Sequence, residues 1–359
     1  MNFAAPQAAV TFQRASFKGN ATEYFGIWIV NILLTIVTLG VYSAWAKVRR
    51  NRYFYGNTEL MDHSFDYHAK GKQIFIGRLI VFVYIVVYNL TLTFVPYLGA
   101  ALGIGILLFM PWLIVRSLRF HMRVTSYRNV RFDFVGGAGG AFVSVFLGSM
   151  VSLLSLGLLA PFATRWLNRY VVNNIRYGGR PLATTVTTGK IYGAWILPAS
   201  MVVMGVAVLG ALAAYGGPMV KAWYDSTDMP QQQRIGVIVA LVYAVLIPVI
   251  IVYALAGIIY KVAVRNAVFN ATLFDGQHPL ISDLGRARYI WIAFSNTILV
   301  LLTFGLMRPW AAVRERRYIA EHTGIAIVGD VGEVMSNIQA TGSAISAEYV
   351  DMEGFDFGF

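Results

Sequence analysis

The sequence predicts an integral membrane protein, mainly α-helical, built from five degenerate repeats and carrying a small cytoplasmic β-structure. Three observations predict it. Hydrophobic residues make up 57% of the 359 residues and charged ones 13%, about half the charge of an ordinary soluble domain. Apolar runs too long for soluble core helices recur along the chain. One stretch also returns at intervals. Thr38–Thr58 reads TLGVYSAWAKVRRNRYFYGNT, Ser155–Ile175 reads SLGLLAPFATRWLNRYVVNNI, and Thr303–Thr323 reads TFGLMRPWAAVRERRYIAEHT.

Laid over one another without a gap, the three share Gly40, Gly157 and Gly305, and an aromatic five positions on, Trp45, Phe162 and Trp310. They also share Arg52–Tyr53, Arg169–Tyr170 and Arg317–Tyr318. A fourth copy keeps Trp112, Arg119 and Phe120 at the same offsets. A fifth is worn down to Tyr260 and Thr272, with Asn266 in place of the arginine. Aromatic and arginine lie about two helical turns apart, so both sit on one helix face.

In order along the chain, Val10–Lys18 alternates and precedes Gly19–Asn20, which predicts a strand and a turn. An apolar stretch from Tyr24 to Trp45 is interrupted at Gly40, and Lys47–Arg52 follows as a basic helix. Asn57–Lys70 has hairpin character. Ile74–Phe94 and Leu98–Val115 are two spans around Pro96. Arg116–Arg123 is again basic, and Thr125–Val135 is again a hairpin. Phe142–Phe162 is a second short apolar stretch, followed by basic Arg165–Arg169 and a Gly/Pro/Thr hairpin over Ile175–Gly189. Ile191–Tyr215 and Ile235–Tyr260 are long spans with Pro198 and Pro248 inside, which read as kinks. Ala271–Leu284 is a fourth hairpin, Tyr289–Trp310 a third short stretch, and Thr323–Gly329 a last strand. The repeats run roughly over 10–60, 61–129, 130–182, 183–280 and 281–329. Pairing of the first strand with the last would close them into a ring.

Charge bears on how the short stretches run. Of the 29 lysines and arginines, 26 lie ahead of Tyr24 or in the five basic junctions. If the short stretches cross the membrane once each, these residues divide 11 against 15 between the two sides. If they are re-entrant hairpins bent at Gly40, Gly157 and Gly305, all 26 share one side, as positive charge does on the cytoplasmic face. Tyr24–Val37 as a helix is about 21 Å long, short of a hydrocarbon core of about 30 Å. The run from Tyr24 to Trp45 as a whole has normal spanning length, which argues for a single span.

The candidate chemistry is sparse. Trp45, Trp112, Phe162 and Trp310 read as interface anchors. Arg52, Arg119, Arg169 and Arg317 are candidates for a lipid-headgroup or anion site, weighed against ordinary snorkelling. Asn31 and Asn296 are intramembrane polar candidates, as glue between helices or as the lining of a path. Asp62, His63, Asp66 and His68 are too poorly spaced for a metal, and no cofactor motif or catalytic constellation is present. The long spans carry no Asp or Glu, which counts against a carboxylate proton relay. The chain has no cysteine, which excludes thiol chemistry. No signal peptide is expected, because the first residues lack a basic region followed by an apolar core. Residues 331–359 contain five carboxylates and no lysine or arginine. They read as a disordered or protein-docking tail.

The segment EYFGIWIVNILLTIVTLGVYSAWAKVRRNRYFYGNTEL, with its downstream echoes, resembles the YjgN family of bacterial inner-membrane proteins over about residues 10–330. The resemblance implies a multi-spanning inner-membrane protein and supplies no catalytic residues. The charge bias places the basic junctions and the tail in the cytoplasm. The expected function is channel- or transporter-like for a small solute or lipid. The alternative is a non-transporting scaffold that binds anionic lipid. The bilayer and anionic headgroups are the expected partners, with no nucleic acid and no enzyme activity.

Overall fold

Two kinds of hairpin alternate along the chain, and turn chemistry makes both. The structure, a computed structural model, describes residues 10–352. The kinked first strand is β1 (Val10–Arg14) and β2 (Ser16–Phe17). Helices α1 (Ala21–Val37) and α2 (Ser43–Gly56) lead to β3 (Thr58–Leu60) and β4 (His63–Tyr67). Helices α3 (Gly71–Phe94) and α4 (Pro96–Arg123) lead to β5 (Thr125–Tyr127) and β6 (Val130–Phe134). Then come α5 (Ala138–Leu154), α6 (Ala160–Asn173), β7 (Ile175–Tyr177) and β8 (Arg180–Thr184). They are followed by α7 (Thr188–Ser226), α8 (Gln231–Phe269), β9 (Thr272–Phe274) and β10 (His278–Ser282). The chain ends with α9 (Arg286–Leu302), α10 (Arg308–Glu321), β11 (Thr323–Val328) and α11 (Val331–Met352).

The β-hairpins are tight because their central residues accept left-handed backbone. Met61–Asp62, Arg128–Asn129 and Gly178–Gly179 have positive φ at both positions. That is the two-residue loop whose twist matches antiparallel strands. The strands form one antiparallel sheet in which sequence neighbours are spatial neighbours. The first strand joins its two ends: β1 pairs with β11 from Val10↔Val328 to Arg14↔Gly324, and β2 pairs with β3. The sheet is therefore a closed, barrel-like ring.

Closure fixes the direction of every helical unit. Each helix pair connects two adjacent antiparallel strands, so it leaves the ring and returns to the same rim. The three short apolar stretches are accordingly two helices with a turn between them, not single helices. Among the described residues, four helices are long and apolar enough to cross a membrane: Gly71–Phe94, Pro96–Arg123, Thr188–Ser226 and Gln231–Phe269. Their side chains are largely exposed in the isolated chain. In water that much apolar surface is untenable, and a bilayer covers it. The fold is thus mostly helical, with the helices of an integral membrane protein, and the sheet is far larger than the expected small β-structure.

The main polar-side core fills the ring. Tyr127, Val130, Tyr177, Phe274, Ile325 and Ile327 pack together with Met335 and Ile338 of α11. Gly342 of α11 lies so close to β6 that a Cβ there would come 2.5 Å from a Val130 methyl. Burying side chains such as Ile327 and Ile338 contributes about 1.5–3 kcal/mol each. This corrects the reading of the tail as disordered. Residues 331–352 are helical because Val331, Val334, Met335 and Ile338 recur at helical spacing and find an apolar ring to sit on. The remainder of the tail, 353–359, lies outside the described residues, as do residues 1–9.

Candidate functional site

Each short helical hairpin repeats one plan. The first helix, α1, α5 or α9, has 17 residues, and the second, α2, α6 or α10, has 14. The turn passes through Leu39–Gly40, Leu156–Gly157 and Phe304–Gly305, all with positive φ. The glycine amides donate to Thr35, Ser152 and Val300 carbonyls at 2.7 Å each. The hydroxyls of Thr38, Ser155 and Thr303 accept from the backbone four residues on, opening the second helix. Glycine is required for the backbone at the second turn position. The first turn position points outward. Leu39 is 95%, Leu156 94% and Phe304 98% exposed, so each hairpin ends in a bare apolar tip.

The hairpin base is held by the tyrosine of the recurring Arg–Tyr pair. Tyr53 Oη donates to the Asn20 carbonyl and accepts from the Asn20 amide, both at 2.7 Å. Tyr170 Oη donates to the Gly137 carbonyl at 2.8 Å. Tyr318 Oη accepts from the Gly285 amide at 3.0 Å. Every partner lies 33 residues upstream, at the N-cap of the first helix of the same hairpin.

The four candidate arginines are not brought to one cavity. Arg52 donates to the Tyr67 and Ala69 carbonyls, and Arg119 to those of Phe134 and Gly136. Each ties its helix to the end of the hairpin that follows. Asn266 takes over this tie where the arginine is missing, donating to the Leu284 carbonyl at 2.9 Å. Arg317 donates to the Gly19 carbonyl at 3.0 Å, and Arg169 is exposed. Trp45 packs on Phe75, Trp112 and Trp310 lie under Arg116 and Arg314, and Phe162 meets Tyr192 edge-on. Asn31 and Asn296 are both buried and bridge the helices of their own hairpins. Asn31 accepts from Arg49 at 3.5 Å. Asn296 accepts from Arg314 and donates to the Ala311 carbonyl, both at 3.1 Å.

Sequence reasoning missed a large polar cavity. A cavity of about 910 Å³ lies between α1, α2 and α10, with Arg78 of α3 and His121 of α4 at its edge. Lys47, Arg50, Arg78, Arg308 and Arg316 line it against one carboxylate, Glu315. The recurring register hid it, because these cations lie off the Trp–Arg face. Among the described residues no cluster of His, Asp or Glu is arranged to hold a metal.

Comparison with known proteins places the chain. A family model described as "Bacterial protein of unknown function (DUF898)" matches residues 12–352. The Inner membrane protein YjgN of Salmonella typhimurium is 26% identical over 348 residues, covering 86% of this chain and 87% of that protein. Its namesakes in Escherichia coli O157:H7 and K12 are 31% identical over 153 and 152 residues, covering 42% of this chain and 38% of each. No solved structure matches. The chain belongs to the DUF898 family, and these relatives are inner membrane proteins.

Proposed function

We propose that this DUF898 family member is a one-sided, anionic-lipid-engaging protein of the inner membrane. Two long helical hairpins, α3–α4 and α7–α8, span the bilayer. The three short ones re-enter it from the cytoplasmic leaflet, and the ring of strands lies in the cytoplasm. The observation that carries this reading is the closed sheet. It gathers strands from every basic junction, so the positive charge of the junctions collects on the side of the ring, as cytoplasmic faces do. The short hairpins fit the reading in length. A 17-residue helix is about 25 Å long, too short for a hydrocarbon core of about 30 Å. Their exposed tips, Leu39, Leu156 and Phe304, are side chains for lipid, not water. The common 17–turn–14 plan supports descent of the units from one repeated element. The basic helix ends then meet the anionic leaflet, each cation near that surface contributing about 1 kcal/mol.

A channel or transporter is the second reading, favoured by the polar cavity beside Asn31. The long hairpins speak against a path through a single chain. α3 packs on α4 and α7 on α8, and neither pair packs substantially against the other.

The natural absence of cysteine makes single-cysteine labelling the direct test. Cysteines at His63, Asn129 and Gln277 are expected to be protected from a membrane-impermeant maleimide in intact cells, while one at Ser226 is labelled. Cysteines at Leu39 and Leu156 should react only with a lipid-permeant reagent. Labelling of the Leu156 position from outside would mean that the third unit crosses the membrane, and the one-sided reading would fall.

A further inference from the structure

We infer that the cavity between α1, α2 and α10 is a binding site for one phosphate-headed amphiphile, its head among the arginines and its apolar chain along α1. The inference rests on the reading of α1–α2 as a hairpin lying in the leaflet, and goes beyond it from general attraction to one saturable site.

The charge balance of the cavity calls for an anion. Lys47, Arg50, Arg78, Arg308 and Arg316 face it, and none of the five forms an ion pair among the described residues. The single carboxylate, Glu315, is occupied by the Tyr289 hydroxyl at 2.5 Å. Arg316 Nε is buried and has no hydrogen-bond acceptor, although its guanidinium lies over the Tyr55 ring at 5.9 Å. A buried donor without an acceptor is a rare and costly arrangement. Here several like charges also share a confined, partly apolar space, which strengthens their repulsion. An acceptor-rich group from outside the chain resolves both. Phosphate fits better than carboxylate, because its tetrahedral oxygens can serve several guanidinium forks at once.

The α1 wall offers apolar side chains beside Asn31 and Thr35. Trp28, Ile32 and Ile36 line the cavity from α1, and Ile319 from α10. Ile36 lies one turn from the hairpin tip and is largely exposed. These apolar side chains thus run out of the cavity towards the bare end of the hairpin. A free phosphate would use the cationic end alone. An amphiphile uses both, with its head among the cations and its chain along α1.

The test is native mass spectrometry on the full chain released from detergent at high salt, with phosphatidate, phosphatidylcholine, glycerol 3-phosphate and inorganic phosphate as probes. The expected result is one phosphatidate retained per chain, against none of the other three. Arg308→Gln and Arg316→Gln should each weaken retention about 10-fold or more, and Arg169→Gln, outside the cavity, should leave it unchanged. Equal retention of phosphatidylcholine overturns the site, and so does full retention of phosphatidate by a folded Arg308→Gln, Arg316→Gln double variant. Binding of inorganic phosphate as tight as that of phosphatidate overturns the amphiphile. For the wild-type protein, a phosphatidate with a photoreactive acyl chain should cross-link to α1 or α10 near Ile32–Ile36. Cross-links confined to α7 and α8 overturn the proposal independently of any variant's folding. If the thiol pattern is one-sided and retention fails, the general leaflet reading stands alone. If the thiol pattern is not one-sided, that reading fails whatever binds in the cavity.

Discussion

Tyr53, Tyr170 and Tyr318 show what a recurring residue can conceal. Their register with Arg52, Arg169 and Arg317 was legible in the sequence, and snorkelling explained it adequately. Their partners were not legible, since each hydroxyl reaches a cap residue 33 positions upstream across a helical turn. Tyr53→Phe should cost about 1 kcal/mol, one net hydrogen bond, and lower the thermal midpoint of the full chain in detergent. An unchanged midpoint would leave the tyrosine as ring packing alone. Arg52→Gln and Arg119→Gln should likewise lower stability, because both guanidiniums serve backbone carbonyls. His278 adds a pH dependence. Its ring is buried in the sheet, and Nδ1 accepts from the Val328 amide at 3.1 Å. Burial pushes its pKa below the usual imidazole range, against the pull of Asp275 and with the push of Arg180. Above a pH of about 6.5 both folded and unfolded chains hold it neutral, and its contribution is fully present. As pH falls below that, the unfolded chain takes up a proton that the folded one resists, and stability falls by up to about 1.4 kcal/mol per pH unit. Melting at pH 7.5 and 5.5 should show the loss in the wild type and a smaller one in His278→Gln.

At the scale of elements, the short hairpins were half legible. Gly40, Gly157 and Gly305 marked the interruption, but a glycine within an apolar run is compatible with a span as well as a turn. What decides is the pairing of strands on either side, a long-range fact that no local pattern carries. The turn itself can be tested. A Cβ at any of the three glycines meets open space, so the cost of alanine lies only in φ values of 86–92°. Each Gly→Ala variant should lose about 1 kcal/mol, additively because the turns are separate elements. A loss several times larger at one turn would reveal packing there that the isolated chain lacks. The C-terminal helix was misread for a different reason. Its carboxylates set the composition of the tail, whereas the few apolar residues that seat it, Met335 and Ile338, gain their value from a ring formed by residues far upstream.

For the whole molecule, the ring closes at one seam, and the sequence offered closure only as the pairing of two leftover strands. The register was beyond it. At the seam β1 and β11 approach so closely at Gly324 that a Cβ there would lie 2.5 Å from the Gln13 carbonyl oxygen. The obstacle is backbone on both sides, so no side chain can turn away. Gly324→Ala therefore should push β1 off β11 at a cost of about 1–3 kcal/mol, the usual range for overpacking. β1 is the outermost strand in sequence and its displacement leaves β2 on β3, so the expected damage is local opening, not global unfolding. The surface pair Arg14–Asp283, at 2.7 Å, is too exposed to hold the seam by itself and contributes at most about 1 kcal/mol. Limited proteolysis of the detergent-solubilised protein should cut Gly324→Ala near residues 10–18 well before the wild type. Arg14→Gln should be cut only slightly faster than the wild type. If Gly324→Ala resists cleavage as the wild type does, β1 does not close the ring in solution. The helical units would then be joined through an open sheet.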